Sequence, residues 1–189
     1  MIIEQNRCGW AGQDPLYIAY HDKEWGVPEY SSRALWEKLI LEGFQAGLSW
    51  ITILKKRDNF RKAFVGFDPN VIADWGGEQV ENLLQDSGII RHRGKIEATI
   101  GNAKAWQKIE HAQGFDHFLW RYVDHKPIIN TWASLSEVPA QTPLSQQISR
   151  DLKTAGFKFC GPTIVYAFLQ AAGLINDHLV TCPAHGLRR

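Results

Sequence analysis

The segment Leu35–Trp50, reading LWEKLILEGFQAGLSW, constrains this chain more than any other. At helical spacing Leu35, Leu39, Glu42 and Ala46 share one stripe, so Glu42 stands where an apolar residue is normally found. A carboxylate buried there is costly unless it is paired, hydrogen-bonded or held neutral, and such positions are often functional. Gly43 and Gly47 flank it and would let a flat ligand approach the backbone. Trp50 adds a broad π face close by. An acid beside an aromatic wall suits a planar, electron-poor or cationic guest. The alternative is a Glu42 at the edge of the stripe, solvated or salt-bridged to an arginine.

The 189 residues suffice for one domain or two small lobes with a sizeable core. A hydrophobic share of 44% with mixed charge is that of an ordinary globular protein, so the helices can pack on one another rather than on lipid. Eight tryptophans are too many for one pocket, and most must supply core area. The formal charge of +1 selects no partner, because distribution matters more than the sum. Basic residues cluster at Lys55-Lys56-Arg57 with Arg61-Lys62, at Arg91-His92-Arg93 with Lys95, and at Lys153 with Lys158. Each cluster could be a solvated helix face or a nucleic-acid contact. No run approaches the ~20 apolar residues of a membrane span, and no basic-then-apolar leader opens the chain. Three widely spaced cysteines make no disulfide framework. A cytoplasmic protein with no membrane partner is expected.

Helical patterns dominate. Ser31 or Ser32 can cap a helix reaching about Gln45, and Trp50–Phe64 reads as a second. Asp68-Pro69 and Thr142-Pro143 are cap-then-proline starts, the latter opening a helix through Lys153 to a stop at Gly156. Glu78–Asp86, Lys95–Glu110, Phe115–Tyr122 and Thr163–Ala172 complete the series, with Gly173 ending the last. Sustained period-two alternation is absent. The fold class is therefore all-α, with two helical lobes and a groove between them in a single domain over 1–189. Ser87–Ile90 and Gly156–Thr163 read as tight connections between helices, and a hairpin that opens a helix can hold phosphate on its free amides.

Cys8 and His21 lie near one end of the chain, His178 and Cys182 near the other. If the backbone is helical, the H-x-x-x-C spacing puts the second pair on one face. Two sulfurs and two imidazoles make a closed tetrahedral set of the structural zinc type, which would tether both ends. Isolated buried cysteines and surface histidines are the alternative, and His185 and Cys160 are competing ligands.

Contiguous motifs then give a resemblance. Arg7-Cys8-Gly9-Trp10, DPLYIAYHD at 14–22, EWGVP at 24–28, EGFQAGLSW at 42–50, LKKR at 54–57, IIRHRGKI at 89–96 and GLINDH at 173–178 occur in this order. Together they span about residues 6–182, and on them the chain resembles the 3-methyladenine DNA glycosylase I family. The resemblance implies a helix–hairpin–helix DNA repair fold with a structural zinc ion on Cys8, His21, His178 and Cys182. It implies base-excision repair by a monofunctional enzyme that flips 3-methyladenine out of alkylated double-stranded DNA and hydrolyses its N-glycosyl bond. Glu42 would contact the excised base as the catalytic residue, Tyr20 would hydrogen-bond it and Trp50 would stack on it. Trp10 and Tyr17 would line the pocket. The Gly156–Thr163 hairpin, with Lys158 and Gly161, would bind DNA. The wider superfamily's catalytic aspartate maps to Asn176, and Phe44 replaces a glutamine of some members.

That reading has a physical logic. The lesion is cationic, so an ionised Glu42 and aromatic walls would favour it over adenine, with cation–π contacts adding about 0.5–2 kcal/mol each. Flipping costs a few kcal/mol, and Leu48 is the candidate wedge for the gap, with core packing its alternative. Arg91, Arg93 and Lys95 could steer DNA. No lysine nucleophile or lyase step is expected, free 3-methyladenine is the product, and the protein is expected to act as a monomer. The rival readings are a non-catalytic zinc-stabilised DNA-binding module, a glycosylase of broader substrate range and a helical metalloprotein without this activity.

Overall fold

The computed structural model describes residues 6–187; residues 1–5 and 188–189, the ends of the expected 1–189 domain, lie outside the described residues. Capping chemistry sets most helix starts. Asp14 accepts from the Leu16 amide at 2.9 Å to open α1 (Pro15–Lys23), and Ser31 accepts from Ala34 at 3.3 Å to open α2 (Ser32–Gln45). After α3 (Trp50–Ala63), Asp68 caps the single turn of α4 (Pro69–Ile72). Then follow α5 (Gly77–Gln85), the long α6 (Arg93–Gln113) and α7 (Phe115–Trp120). Thr142 and Ser145 cap each other reciprocally at α8 (Pro143–Thr154), and α9 (Pro162–Ala171) starts on a proline. A last short helix, α10 (Pro183–Leu187), ends the described chain.

The expected helices are all present, with boundaries shifted by at most three residues and the expected 115–122 segment closing as a 3₁₀ turn at Arg121–Val123. Apolar periodicity gives no sign of α1, which buries only Tyr20 and His21. Its Asp14-Pro15 start is nevertheless the same signal as Asp68-Pro69. The only sheet among the described residues is a two-residue parallel pair, β1 (Ile128–Ile129) with β2 (Ile175–Asn176), Ile128 facing Ile175.

Helix α2 is the hub. It packs on α3, α6, α7 and α9, burying Leu35, Trp36, Leu39, Ile40 and Phe44 against Ile53, Phe60, Ile96, Phe115 and Phe168. Each such side chain contributes about 1.5–3 kcal/mol of burial, which is what holds Glu42 inside the protein despite its cost. At the end of α9, Gly173 (φ +71°) brings the chain so close to residues 27–28 that a Cβ would sit 2.3 Å from the Val27 carbonyl carbon. Only glycine permits that approach, and it ties the α1–α2 connection to the segment that carries β2.

Candidate active site and metal centre

A cavity of about 180 Å³ opens where α1, α2, α3 and α9 converge. Glu42 and Gln45 of α2, Tyr17 and Tyr20 of α1 and Trp50 at the first turn of α3 supply one part of its wall. Trp10, Trp25, Leu135, Val138, Ala167, Gln170 and Asp177 supply the rest. All five residues expected at the pocket are therefore brought together. Tyr20 and Trp50 meet with ring centroids 5.5 Å apart, Trp10 and Tyr17 at 5.1 Å, and Trp10 and Trp25 at 4.9 Å. These tilted and edge-on contacts hold the rings without filling the cavity. The Trp50 indole N–H is buried and has no hydrogen-bond partner.

Glu42 is 4% exposed. Burial pushes its carboxyl up to about 8, opposed only by the neighbouring Lys38 ammonium, which itself donates to the Ala171 carbonyl at 3.1 Å. The sequence reading expected an ionised Glu42. That shift favours the neutral carboxyl, and the ionised Glu42 of the sequence reading is the form that a cationic guest would favour. Burial and the Glu42 charge also push the Tyr20 and Tyr17 phenols up, so both remain neutral.

Sequence reasoning missed two polar residues of the wall, Asp177 and Gln170. Asp177 is buried and receives four donors: Asn130 Nδ2 and Trp132 Nε1 on Oδ1, each at 2.7 Å, and the Tyr166 hydroxyl and Gln170 Nε2 (2.8 Å) on Oδ2. Gln170 is the one strongly polar side chain in the apolar run of α9, the same signal that singled out Glu42. Asn176, the position matched to the superfamily aspartate, is not in the wall. It is buried in β2, accepting from the His178 amide at 3.1 Å and donating to the His185 carbonyl at 3.4 Å.

The flanking glycines serve other ends than ligand approach. A Cβ on Gly43 would meet the Phe159 carbonyl at 3.2 Å, so Gly43 admits the α8–α9 hairpin, while Gly47 (φ +82°) turns the chain between α2 and α3. Leu48 stands 40% exposed at that turn, outside the core. Lys95 is a second correction. Rather than steering DNA, it is buried, with its ammonium donating to the Phe44 and Ala46 carbonyls at 2.9 and 2.7 Å. Arg93 is engaged with Glu81 and Glu97, which leaves Arg91 as the exposed arginine of that cluster with no ion pair among the described residues. In the first cluster Lys55 pairs with Asp14, Arg57 with Glu24 and Arg61 with Glu37.

In the Gly156–Thr163 hairpin, the amides of Gly156, Phe157 and Lys158 are taken by Lys153 O, Leu152 O and Asn102 Oδ1. Those three are therefore not among the free amides that the sequence reading offers to phosphate. The Lys158 side chain is exposed, and Gly161 caps α9 with open space around it.

Cys8, His21, His178 and Cys182 converge in one buried cluster whose ligand atoms all lie within 4.8 Å of one another. Cys8 Sγ is 3.7 Å from His178 Nδ1, and Cys182 Sγ is 3.6 Å from both His178 Nδ1 and His21 Nε2. These are the edges of a tetrahedron around an ion bonded at about 2.3 Å to sulfur and about 2.0 Å to nitrogen. The outer nitrogens are oriented as metal-bound histidines require: His21 Nδ1 lies 2.7 Å from Asp22, itself held by Arg7, and His178 Nε2 lies 3.1 Å from the Trp25 carbonyl. The four residues could hold a metal ion. The 178–182 stretch is a turn, not the helix that the H-x-x-x-C reading presumed, and it closes through a Cys182 N–H bond to the Leu179 carbonyl at 2.8 Å. His185 bonds the Asn130 carbonyl and Cys160 lies in the main core, so neither competes.

Known proteins resemble this chain over nearly its whole length. A family model described as methyladenine glycosylase matches residues 10–185. The chain is 56% identical over 177 residues to DNA-3-methyladenine glycosylase 1 of Escherichia coli (strain K12), covering 93% of this chain and 95% of that protein. It is 51% identical over 178 residues to DNA-3-methyladenine glycosylase of Haemophilus influenzae, covering 94% and 96% respectively. The structure superposes on 3-methyladenine DNA glycosylase I from Staphylococcus aureus, solved for its recognition of 3-methyladenine, with a TM-score of 0.93, 42% identity and coverage of 96% and 97%.

Proposed function

The chain belongs to the methyladenine glycosylase family and acts on 3-methyladenine in DNA, and from that premise we propose that the aromatic cavity around Glu42 takes the extruded base. The observation that carries this reading is a buried, ion-pair-free carboxyl facing a purine-sized space walled by Tyr20 and Trp50. The lesion brings a positive charge. Its arrival stabilises the ionised form of Glu42, which releases its proton to solvent water and accepts from the base's exocyclic amine. Neutral adenine offers no such charge and still pays for unstacking.

Hydrolysis needs little further help. The glycosidic electron pair leaves with the cationic base, which departs as neutral 3-methyladenine. Water adds its oxygen to the sugar carbon and loses one proton, leaving an abasic site. No protein nucleophile is required, and there is no lyase step. Leu48 fills the gap in the duplex, while Lys158 and the turn ending at Gly161 meet the phosphates.

The protein acts on double-stranded DNA as a monomeric single domain in the cytoplasm; among the described residues no helix is long and apolar enough to cross a membrane. The ion at Cys8, His21, His178 and Cys182 is zinc, the metal that a buried two-sulfur, two-nitrogen tetrahedral set suits best. With four protein ligands it supplies a cross-link between the ends of the fold and takes no part in the chemistry.

Chromatographic identification of bases released from methylated duplex DNA tests the reading. Wild type should release 3-methyladenine with little 7-methylguanine, and Glu42→Ala should release at least ~100-fold less. No release by folded, metal-loaded wild type would leave a DNA-binding module instead of an enzyme.

A further inference from the structure

Asp177 and Gln170 share the cavity wall, and their bonding has a consequence for the base. A carboxylate only accepts hydrogen bonds, so the Gln170 amide must turn its NH₂ toward Asp177 Oδ2, at 2.8 Å. Its carbonyl oxygen Oε1 is thereby left as an acceptor, with no donor among the described residues. The orientation is over-determined, because Asp177 is itself fixed by Asn130, Trp132 and Tyr166. Gln170 also sits on a stiff helix: its own backbone carbonyl accepts from Gly26 at 3.0 Å.

We infer that Gln170 is a specificity-determining residue of this pocket, its Oε1 accepting from the 6-amino group of the extruded base and turning away 6-oxopurines, and that Asp177 is the positioning residue that holds that amide the right way round. Two acceptors, Glu42 and Gln170, then match the two hydrogens of an exocyclic amine. A 6-oxo base such as 3-methylguanine would bring its own acceptor against Oε1 and leave both unpaired, a mismatch that sites built on hydrogen bonds penalise heavily. The inference rests on the cavity being the base site.

Asp177→Asn makes the positioning role testable, because it reverses the geometry. An amide at 177 can donate to Gln170, so Gln170 flips and presents its NH₂ to the cavity. Binding of free 3-methyladenine, release of 3-methyladenine and 3-methylguanine from methylated duplex DNA, and metal content are measured for wild type, Gln170→Met, Asp177→Asn and the double variant. Gln170→Met should bind 3-methyladenine about tenfold more weakly and excise it with less preference over 3-methylguanine, at unchanged metal content. Asp177→Asn should lower that preference further than Gln170→Met, and the double variant should return to the Gln170→Met value. An amide acting through Gln170 gives this ordering, whereas general damage at 177 lowers both activities alike. Gln170→Met with wild-type affinity and preference overturns the inference. Wild type that fails to bind 3-methyladenine overturns the pocket assignment beneath it.

Discussion

The candidate metal centre and the proposed base pocket are both buried polar clusters, and they differ in how completely their polar groups satisfy one another. At the metal centre all four ligand atoms point at one another, and the outer ring nitrogens are met by Asp22 and the Trp25 carbonyl. In the pocket, among the described residues, Glu42 has no ion pair and the Trp50 N–H has no acceptor, whereas Asp177 takes four donors. A closed set stabilises; an open one waits for a guest. The two regions share a wall, because Trp10 packs edge-on to His21 at 5.1 Å and Trp25 to His178 at 4.6 Å, while both indoles line the cavity. The structural cluster thus holds the functional one in shape.

The largest expected effect breaks the closed cluster. Cys8→Ser should lose metal and several kcal/mol of stability together, lowering Tm by ~10 °C or more. Through Trp10 and Trp25 it should also weaken binding of 3-methyladenine in whatever fraction stays folded. Elemental analysis beside calorimetry checks it. A Cys8→Ser protein of wild-type metal content and Tm would remove the site from the fold's framework.

The open cluster should respond with the opposite sign. Glu42 has a folded pKa of about 8, above its ordinary range, so its stabilising contribution is complete below about pH 4.5 and is lost as pH rises through about 8. At pH 7 the protein carries a penalty of up to about 3 kcal/mol for keeping this carboxyl. Glu42→Gln should therefore raise Tm by several degrees at pH 7–8 while losing base affinity. The stability difference should close as pH falls toward 4.5. A difference constant across that range would show that Glu42 is not the titrating group.

How much of this the sequence discloses depends on whether a residue's neighbours are near in the chain. Capped helices such as those begun at Ser31, Asp68 and Thr142 are local, and their starts are read directly. Glu42 is legible because helical spacing alone puts it on a buried face. The four-residue cluster is suggested by residue type and specified by the family resemblance, although the helical spacing assumed for the second pair is not what the structure uses. Asp177 is out of reach of such reading: its donors come from residues 130, 132, 166 and 170, in the loop after β1 and in α9. Lys95 fails for the same reason. In a basic run it looks like a DNA contact, and only the packing of α6 against α2 turns its ammonium inward.

That lysine supplies the smallest effect, and the one that separates pocket from loop most sharply. Its ammonium ties down the carbonyls of Phe44 and Ala46 where α2 ends, just before Gly47 turns the chain to Leu48. Lys95→Met keeps the length of the side chain and removes both bonds, which should cost about 1–2 kcal/mol of stability and loosen the turn. Glu42 and Trp50 are held separately, by the core face of α2 and by α3. Free 3-methyladenine should therefore bind Lys95→Met as it binds wild type, while excision from duplex DNA slows roughly tenfold, in parallel with Leu48→Ala. Stopped-flow fluorescence of a base analogue beside the lesion reads the flipping step directly. If Leu48→Ala slows flipping and Lys95→Met does not, the turn holds its shape through Gly47 and the Leu48–Gln45 backbone bond without the lysine. If Lys95→Met instead loses free-base affinity, the end of α2 belongs to the pocket, and the division between recognition and insertion falls one turn earlier along that helix.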